Sequence, residues 1–339
     1  MRIGIIGAGA VAPLHARAAG RLPDVQMTAV CDLQPRVAAA VAGPIGAAVF
    51  SDYRDLLASG TTDTVIVNTP HSLHREMAVA AAEAGQHVLV EKPMAISLHD
   101  CDAMTDAAER AGVVLRVGHI QHYLPEKTAL AQAISRGAIG AVRLVHDYRT
   151  TDYRPGSRSP WFLRRDLAGG GAMMNIGAHC LDRAVWLGGS PAATVSAHVL
   201  SRFGVSVETD ATVTLRLSSG VEASVTVVSD APRPTDEVTV VGDEGILVAN
   251  PRIGALLRRD GVTEMLYERS SDDIPEAFRL QLADFAGTVE GGAFAVTLAH
   301  SRHVVELVLA TYDSAGDDGR PVTVASTAAK GDASVGTTC

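Results

Sequence analysis

The chain is predicted to be an α/β protein of two domains, and three observations carry that expectation. Short apolar strands alternate with helical stretches from Met1 to about Leu124, a glycine-rich turn follows the first strand, and after Pro125 several strands succeed one another without helices. Alternation of this kind predicts a parallel, doubly wound sheet; uninterrupted strands predict an antiparallel one. A length of 339 residues accommodates both.

The first strand, Ile3–Ile6, runs into Gly7-Ala8-Gly9-Ala10-Val11-Ala12. In this G-x-G-x-x-A fingerprint the first glycine makes the tight turn and the second lets a pyrophosphate approach the backbone. The small last residue lets the following helix pack close, its amino end facing the phosphates. Gly7, Gly9, Ala10 and Val11 are therefore candidate cofactor contacts. The second strand, Met27–Cys31, ends at Asp32, where a carboxylate would bind the adenosine ribose hydroxyls. Asp32 would repel a 2′-phosphate, so NAD is favoured over NADP; Arg36 nearby weakens the inference. The strand Thr64–Val67 delivers Asn68, Thr69, Pro70 and His71 to the same edge, where they would line the ribose and nicotinamide. Residues 1–124 read as a Rossmann dinucleotide-binding domain. A glycine turn in an unrelated α/β protein is the bland alternative.

Helices are expected at Leu73–Ala84 and Leu98–Ala111, the second opened by the pair Ser97 and Asp100. Between them, the strand Val88–Val90 leads into Glu91-Lys92-Pro93, and Val113–Val117 completes the sheet. A lysine at a strand's carboxyl end can reach a ligand lying across that edge, and its ammonium can polarise a substrate oxygen. Glu91 and Lys92 are candidates for that site; alone, the tripeptide reads as a solvated charge pair in a loop.

Residues 125–325 form the second predicted domain. A helix at Glu126–Arg136 precedes a strand at Val142–Tyr148 and a polar loop from Thr150 to Leu167. Strands follow at Thr194–Leu200, Ala211–Leu217, Glu222–Val228, Glu237–Val241 and Ile246–Val248. Two helices, Pro275–Val289 and Thr297–Ser314, and a short strand, Pro321–Val324, finish the domain; the polar tail 326–339 is expected to fray. Gly169-Gly170-Gly171 opens a predicted helix from Ala172, which would set Asn175 and His179 one turn apart on a face continued by Asp182 and Trp186. The glycines allow a close start against a ligand or a neighbouring backbone. Catalysis and a hydrogen-bonded structural role both remain open for His179.

Composition narrows the class. A net charge of -9 argues against general nucleic-acid binding, which needs a basic surface. No apolar run reaches membrane-span length, and the amino terminus enters a strand without a charged leader, so neither membrane insertion nor secretion is expected. The four scattered cysteines suggest neither a disulfide framework nor a metal site, so a reduced, cytoplasmic protein is expected and no metal is assigned.

The fingerprint, Glu91-Lys92-Pro93 and the triglycine-to-histidine helix resemble, in order and spacing, the Gfo/Idh/MocA oxidoreductase family. Gly242-Asp243-Glu244-Gly245, Leu282-Ala283-Asp284-Phe285 and Gly319-Arg320-Pro321-Val322 extend the resemblance over most of the chain. It implies a carboxy-terminal α/β domain with a large, mainly antiparallel open sheet, through which a homodimer or homotetramer would form. It also implies NAD(P)-dependent oxidation or reduction of one carbon of a sugar, cyclitol or sugar derivative. Lys92 would be the catalytic lysine, His179 the general acid/base, and the Lys92–Pro93 bond resembles a family turn that is often cis. Two positions depart from the commonest pattern: Asn175 stands where many inositol-type members have aspartate, and His122, within Gly118-His119-Ile120-Gln121-His122-Tyr123, where arginine is common.

The favoured chemistry holds a substrate hydroxyl between Lys92 and His179. Imidazole, with an ordinary pKa of about 6.5, takes the proton, and the lysine ammonium stabilises the developing alkoxide. Asn175, Gln121, His122, Tyr153, Arg158 and Trp161 are candidate substrate contacts. The segment from Arg143 to Arg165 carries six arginines, which would bind an anionic substrate group or form a solvated loop balanced by Asp147, Asp152 and Asp166. Two rivals are an NAD-retaining glycosidase that oxidises C3 transiently and a non-catalytic dinucleotide-binding regulator. Retention of Lys92 and His179 weighs against the regulator.

Overall fold

The structure is a computed structural model and describes residues 1–324. The predicted tail at 326–339 lies outside them. Six parallel strands build the first sheet: β1 (Arg2–Ile6), β2 (Gln26–Cys31), β3 (Ala48–Phe50), β4 (Thr64–Val67), β5 (His87–Glu91) and β6 (Leu115–Gly118). Their order, β3-β2-β1-β4-β5-β6, is that of a Rossmann sheet. The five expected strands are present. Sequence reasoning missed β3, a three-residue, largely exposed edge strand with little pattern to read. Helices α1 (Ala12–Ala19), α2 (Pro35–Ala42), α3 (Tyr53–Ala58), α4 (His74–Glu83) and α5 (Leu98–Ala111) cover the sheet, so all four residues of β4 are buried. Ser97 caps α5, accepting from Asp100 N at 3.1 Å.

Helix α6 (Pro125–Ser135) leads to β7 (Val142–Thr151), the short α7 (Arg165–Ala168) and α8 (Ala178–Gly188). The second sheet continues through β8 (Ala192–Leu200), β9 (Asp210–Leu217), β10 (Glu222–Ser229), β11 (Asp236–Gly242), β12 (Ile246–Asn250), β13 (Gly254–Arg259) and β14 (Val262–Glu268). After α9 (Asp273–Val289) and α10 (Leu298–Gly316), β15 (Val322–Thr323) joins its far edge. The nine strands run β14-β13-β12-β11-β7-β10-β9-β8-β15, antiparallel apart from the parallel pair β7 and β10. Strands β13 and β14 were not expected. Both carry charged residues, β14 is largely exposed and β13 ends in exposed Arg258 and Arg259, and Asp260-Gly261, each at positive φ, turns one into the other.

Period-two patterning explains how this sheet makes its core. In β9, Ala211, Val213, Leu215 and Leu217 are buried while Thr212, Thr214 and Arg216 face solvent. The inner face packs on α8 and α10 through Val145, Val225, Leu181, Val304 and Val308. A fully buried aliphatic side chain contributes about 1.5–3 kcal/mol, which fixes the register of α8 against the sheet. The two domains share a core as well. Phe278, Leu282 and Phe285 of α9 pack with Ile3, Ile5 and Ala12 of the nucleotide domain, so residues past the expected 124/125 boundary complete its outer layer.

Candidate active site

The fingerprint turn is shaped as its residue types require. Gly7 has φ +95, and a side-chain carbon there would lie 2.8 Å from the Asn68 carbonyl, so no other residue fits. Asp32 accepts from Ala8 N at 2.9 Å and from Gln34 N at 2.9 Å, which fixes the carboxylate at the end of β2. Gly9 and Ala10 are exposed before α1. The Asn68 amide and the Thr69 hydroxyl are buried without a partner among the described residues. Open glycine backbone, a placed carboxylate and unpaired polar atoms at one sheet edge together fit a dinucleotide.

Glu91 serves from behind rather than facing a ligand. Its carboxylate meets His15 Nε2 of α1 at 3.0 Å, tying β5 to the fingerprint helix. His71 likewise turns inward: its Nδ1 lies 2.8 Å from the Ala168 carbonyl, its ring meets Trp161 edge-on, and burial holds its pKa well below 6.5. His71 and Trp161 therefore join the nucleotide edge to the 160s loop, with Pro70 at the start of that turn.

Lys92 follows β5 through a cis bond to Pro93. Its Nζ donates to Asn175 Oδ1 at 2.9 Å and to the Asn175 carbonyl at 3.0 Å, so the two domains meet at this pair. Burial lowers the Lys92 pKa from 10.5 to about 8; Arg149 and Arg158 push the same way, while Glu91 opposes them. His179 is buried, with Nδ1 unpartnered among the described residues. Burial, then the charges of Lys92, Arg149 and Arg183, hold its pKa well below 6.5 despite Asp182. The expected near-neutral imidazole is corrected: in this surrounding it is a neutral proton acceptor across the physiological range.

The segment carrying Asn175 and His179 begins differently from the expected α-helix. Met173–Gly177 form a π turn before α8. Glu208 Oε1 accepts from Gly171 N at 2.7 Å and Met173 N at 3.0 Å, holding the start of the segment. A side-chain carbon on Gly171 would lie 2.0 Å from the Glu208 carbonyl, so the glycine serves a neighbouring backbone. Further along, Arg183 is fully buried; it grips Asp147 through two bonds of 2.7 Å, Asp236 at 2.9 Å and Gln121 at 2.6 Å. This clamp pins α8 to β7 and β11 and sets where His179 sits.

Gln121 thus belongs to the Arg183 clamp. His122 bonds Asp182 at 2.8 Å and stacks on Trp186 at 4.0 Å, so neither candidate substrate contact joins the Lys92–Asn175 pair. The face expected to run from Asn175 to Trp186 is shared between two clusters. Tyr153 is wholly buried, with the Arg158 guanidinium 4.8 Å above its ring and its hydroxyl without a hydrogen-bond partner among the described residues.

The arginine-rich segment also divides. Arg154 and Arg164 pair with Asp152 and Asp166 at the surface, as the solvated-loop reading expects, whereas Arg143 pairs with Asp243 and the expected Asp147 is instead buried in the Arg183 clamp. Arg149 and Arg158 are different. Among the described residues Arg158 bonds only oxygens of Thr151 and Asp152, and Arg149 has a buried Nη1 without a hydrogen bond and an Asp236 oxygen 3.9 Å away. Sequence reasoning did not single out Arg149, Glu208 or Asp236, whose partners are distant along the chain.

Two family models match this chain: an oxidoreductase family with an NAD-binding Rossmann fold over residues 1–119, and the Gfo/Idh/MocA carboxy-terminal domain over residues 128–248. A 1-carboxy-3-chloro-3,4-dihydroxycyclohexa-1,5-diene dehydrogenase of Comamonas testosteroni is 34% identical over 70% of this chain and 60% of its own length. D-glucoside 3-dehydrogenase of Escherichia coli (strain K12) is 34% identical over 60% of this chain and 59% of its own. The match thus spans less than two thirds of these curated relatives. The crystal structure of GenD2 from gentamicin A biosynthesis in complex with NAD superposes with a TM-score of 0.85 at 27% identity, covering 96% of this chain and 97% of that one. The fold and the fingerprint agree with these matches, and the chain belongs to the Gfo/Idh/MocA oxidoreductase family.

Proposed function

We propose that this protein transfers a hydride between NAD(H) and a secondary alcohol or ketone carbon of a sugar, cyclitol or related ring. The observation that carries the reading is the Lys92 ammonium fixed by Asn175 at the carboxyl edge of the nucleotide sheet, within electrostatic reach of a buried, neutral His179. Gly7, Gly9, Ala10, Val11, Asp32, Asn68 and Thr69 would hold the dinucleotide, which supplies the hydride acceptor or donor when bound. Lys92 donates a hydrogen bond to the substrate oxygen and stabilises negative charge developing on it. His179 takes the hydroxyl proton in oxidation and returns it in reduction. Asn175 orients the ammonium, and the Arg183 clamp orients α8.

Arg149 and Arg158 favour a substrate bearing an anionic group, because Arg149 has a buried Nη1 without a hydrogen bond and only a long 3.9 Å ion pair to Asp236, Arg158 bonds neutral oxygens, and both act on Lys92. The Comamonas testosteroni relative carries a carboxyl in the name of its substrate, which supports the same preference. The decisive experiment follows nicotinamide absorbance with NAD or NADH and a panel of neutral and carboxylated sugars and cyclitols. Net NADH formation or consumption supports a dehydrogenase. Product release without net NADH change would support the glycosidase rival, and NAD binding with no turnover on any panel member would support the regulator. We further infer a homo-oligomer formed through the outer face of the second sheet, which exposes Leu144 and Leu200; light scattering tests it. The buried free thiols of Cys31, Cys101 and Cys180 are consistent with a reducing compartment, and among the described residues no helix is long and apolar enough to cross a membrane.

A further inference from the structure

A second cluster lies beyond the Lys92–Asn175 pair, built from three distant parts of the chain. Asp182, three residues past His179 on α8, is fully buried. One of its oxygens, Oδ1, meets His122 Nε2 at 2.8 Å and His300 Nε2, from the first turn of α10, at 2.6 Å. The three atoms all lie within 4.8 Å of one another. His119 stands on the other side, its Nδ1 3.3 Å from Asp182 Oδ2.

As a hydrogen-bonded cluster this arrangement is incomplete. Asp182 Oδ2 and both ring nitrogens of His119 are buried without a hydrogen-bond partner among the described residues, and His119 is only 2% exposed. The 3.3 Å approach of His119 Nδ1 to Asp182 Oδ2 makes no aligned hydrogen bond, which leaves both groups weakly paired in a buried site. Two imidazole nitrogens and a carboxylate oxygen are a donor set suited to zinc and similar first-row ions rather than to magnesium or calcium, which take oxygen ligands. Zinc bonds of about 2.0–2.1 Å need ligand atoms roughly 3.3 Å apart in a tetrahedron, so the two contacts to Asp182, 2.8 and 2.6 Å, would open by roughly 0.5–0.7 Å. The cluster lies near the surface: His300 keeps 22% of its side chain exposed, and His122 borders an open recess of about 510 Å³ lined also by Tyr123, Pro125 and Leu280.

We propose that His122, Asp182 and His300 form a binding site for one zinc-class divalent ion. His119 orients the carboxylate from its free side, Trp186 holds the His122 ring by stacking, and water completes the coordination. The ion links the turn after β6, the helix that carries His179 and the start of α10. The site is structural, and its existence does not depend on the substrate or the direction of hydride transfer.

The test uses the full chain, stripped with EDTA and dialysed, then titrated with zinc chloride in a calorimeter. One zinc per chain is expected, and His300→Ala should weaken it by more than about 100-fold, beyond what loss of an outer-shell partner costs. His146→Ala, which removes an exposed histidine paired with Ser224, should bind as the parent does. NAD binding monitored by fluorescence checks that both variants are folded. Cobalt substitution gives a second readout: visible absorption from a low-symmetry site in the parent and in His146→Ala, absent from His300→Ala. No stoichiometric zinc in the parent, or equal affinity and cobalt absorption in His300→Ala, would overturn the proposal.

Discussion

Lys92 Nζ donates to both the side-chain oxygen and the backbone carbonyl of Asn175, at 2.9 and 3.0 Å. The pair joins the end of β5 to the π turn before α8, so a residue of the nucleotide domain is aimed by a residue of the second domain. Most of the expected chemistry turns on this contact.

Its first consequence concerns alkaline pH. The Lys92 pKa is lowered to about 8, so the ammonium is lost as pH rises through that value and kcat/KM should fall with it. Removing a neighbouring cation raises a lysine pKa, so Arg158→Ala should move the alkaline limb upward. Lys92→Ala should cost roughly 10²–10⁴-fold in the chemical step while NAD still binds. Single-turnover rates within a few-fold of the parent would remove Lys92 from the mechanism.

Cofactor choice rests on Asp32, which is held by Ala8 N and Gln34 N beside the fingerprint, whereas Arg36 is exposed near the start of α2. NAD should bind more tightly than NADP in calorimetry, and Asp32→Ala should narrow that gap by removing the like charge that meets a 2′-phosphate. Equal binding of the two by the parent would show that another cation offsets Asp32.

For an anionic substrate, Arg149→Ala and Arg158→Ala should raise KM more for a carboxylated substrate than for its neutral analogue. Arg164→Ala, whose side chain pairs with Asp166 at the surface, should affect both alike and only slightly. Equal effects of Arg158→Ala on both analogues would return that side chain to a loop-anchoring role.

What the sequence disclosed and what it withheld follow from distance along the chain. Gly7 to Asp32, and Lys92 at a strand end, are local patterns whose meaning depends on the next few residues. The parallel, doubly wound sheet could be anticipated for the same reason. The Arg183 clamp could not, because it draws on Gln121, Asp147 and Asp236, which only the packing of α8 on β7 and β11 brings together. His122 and His300 are 178 residues apart and meet only at Asp182. The clamp predicts a stability effect: Arg183→Met leaves the buried Asp147 carboxylate unpaired and should destabilise the protein by about 3–5 kcal/mol in urea unfolding. A loss below about 1 kcal/mol would mean that the clamp relaxes readily.

Asn175 sets the working pH of both residues that handle the proton. An amide adds no charge, so burial and nearby cations keep His179 well below 6.5, and the acidic limb of oxidation should lie below that value in the parent. Asn175→Asp introduces a carboxylate one turn from His179 and at the oxygen that already accepts from Lys92. Negative charge favours the imidazolium and the ammonium alike. Both pKa values therefore rise, and the whole kcat/KM profile should move to higher pH, the alkaline limb more because Lys92 is in direct contact. The two groups interact, so the limbs belong to the pair as well as to each residue. An alkaline limb that moves while the acidic limb stays, in a variant that still folds and binds NAD, would show that Asn175 acts on Lys92 alone and that His179 does not define the acidic limb.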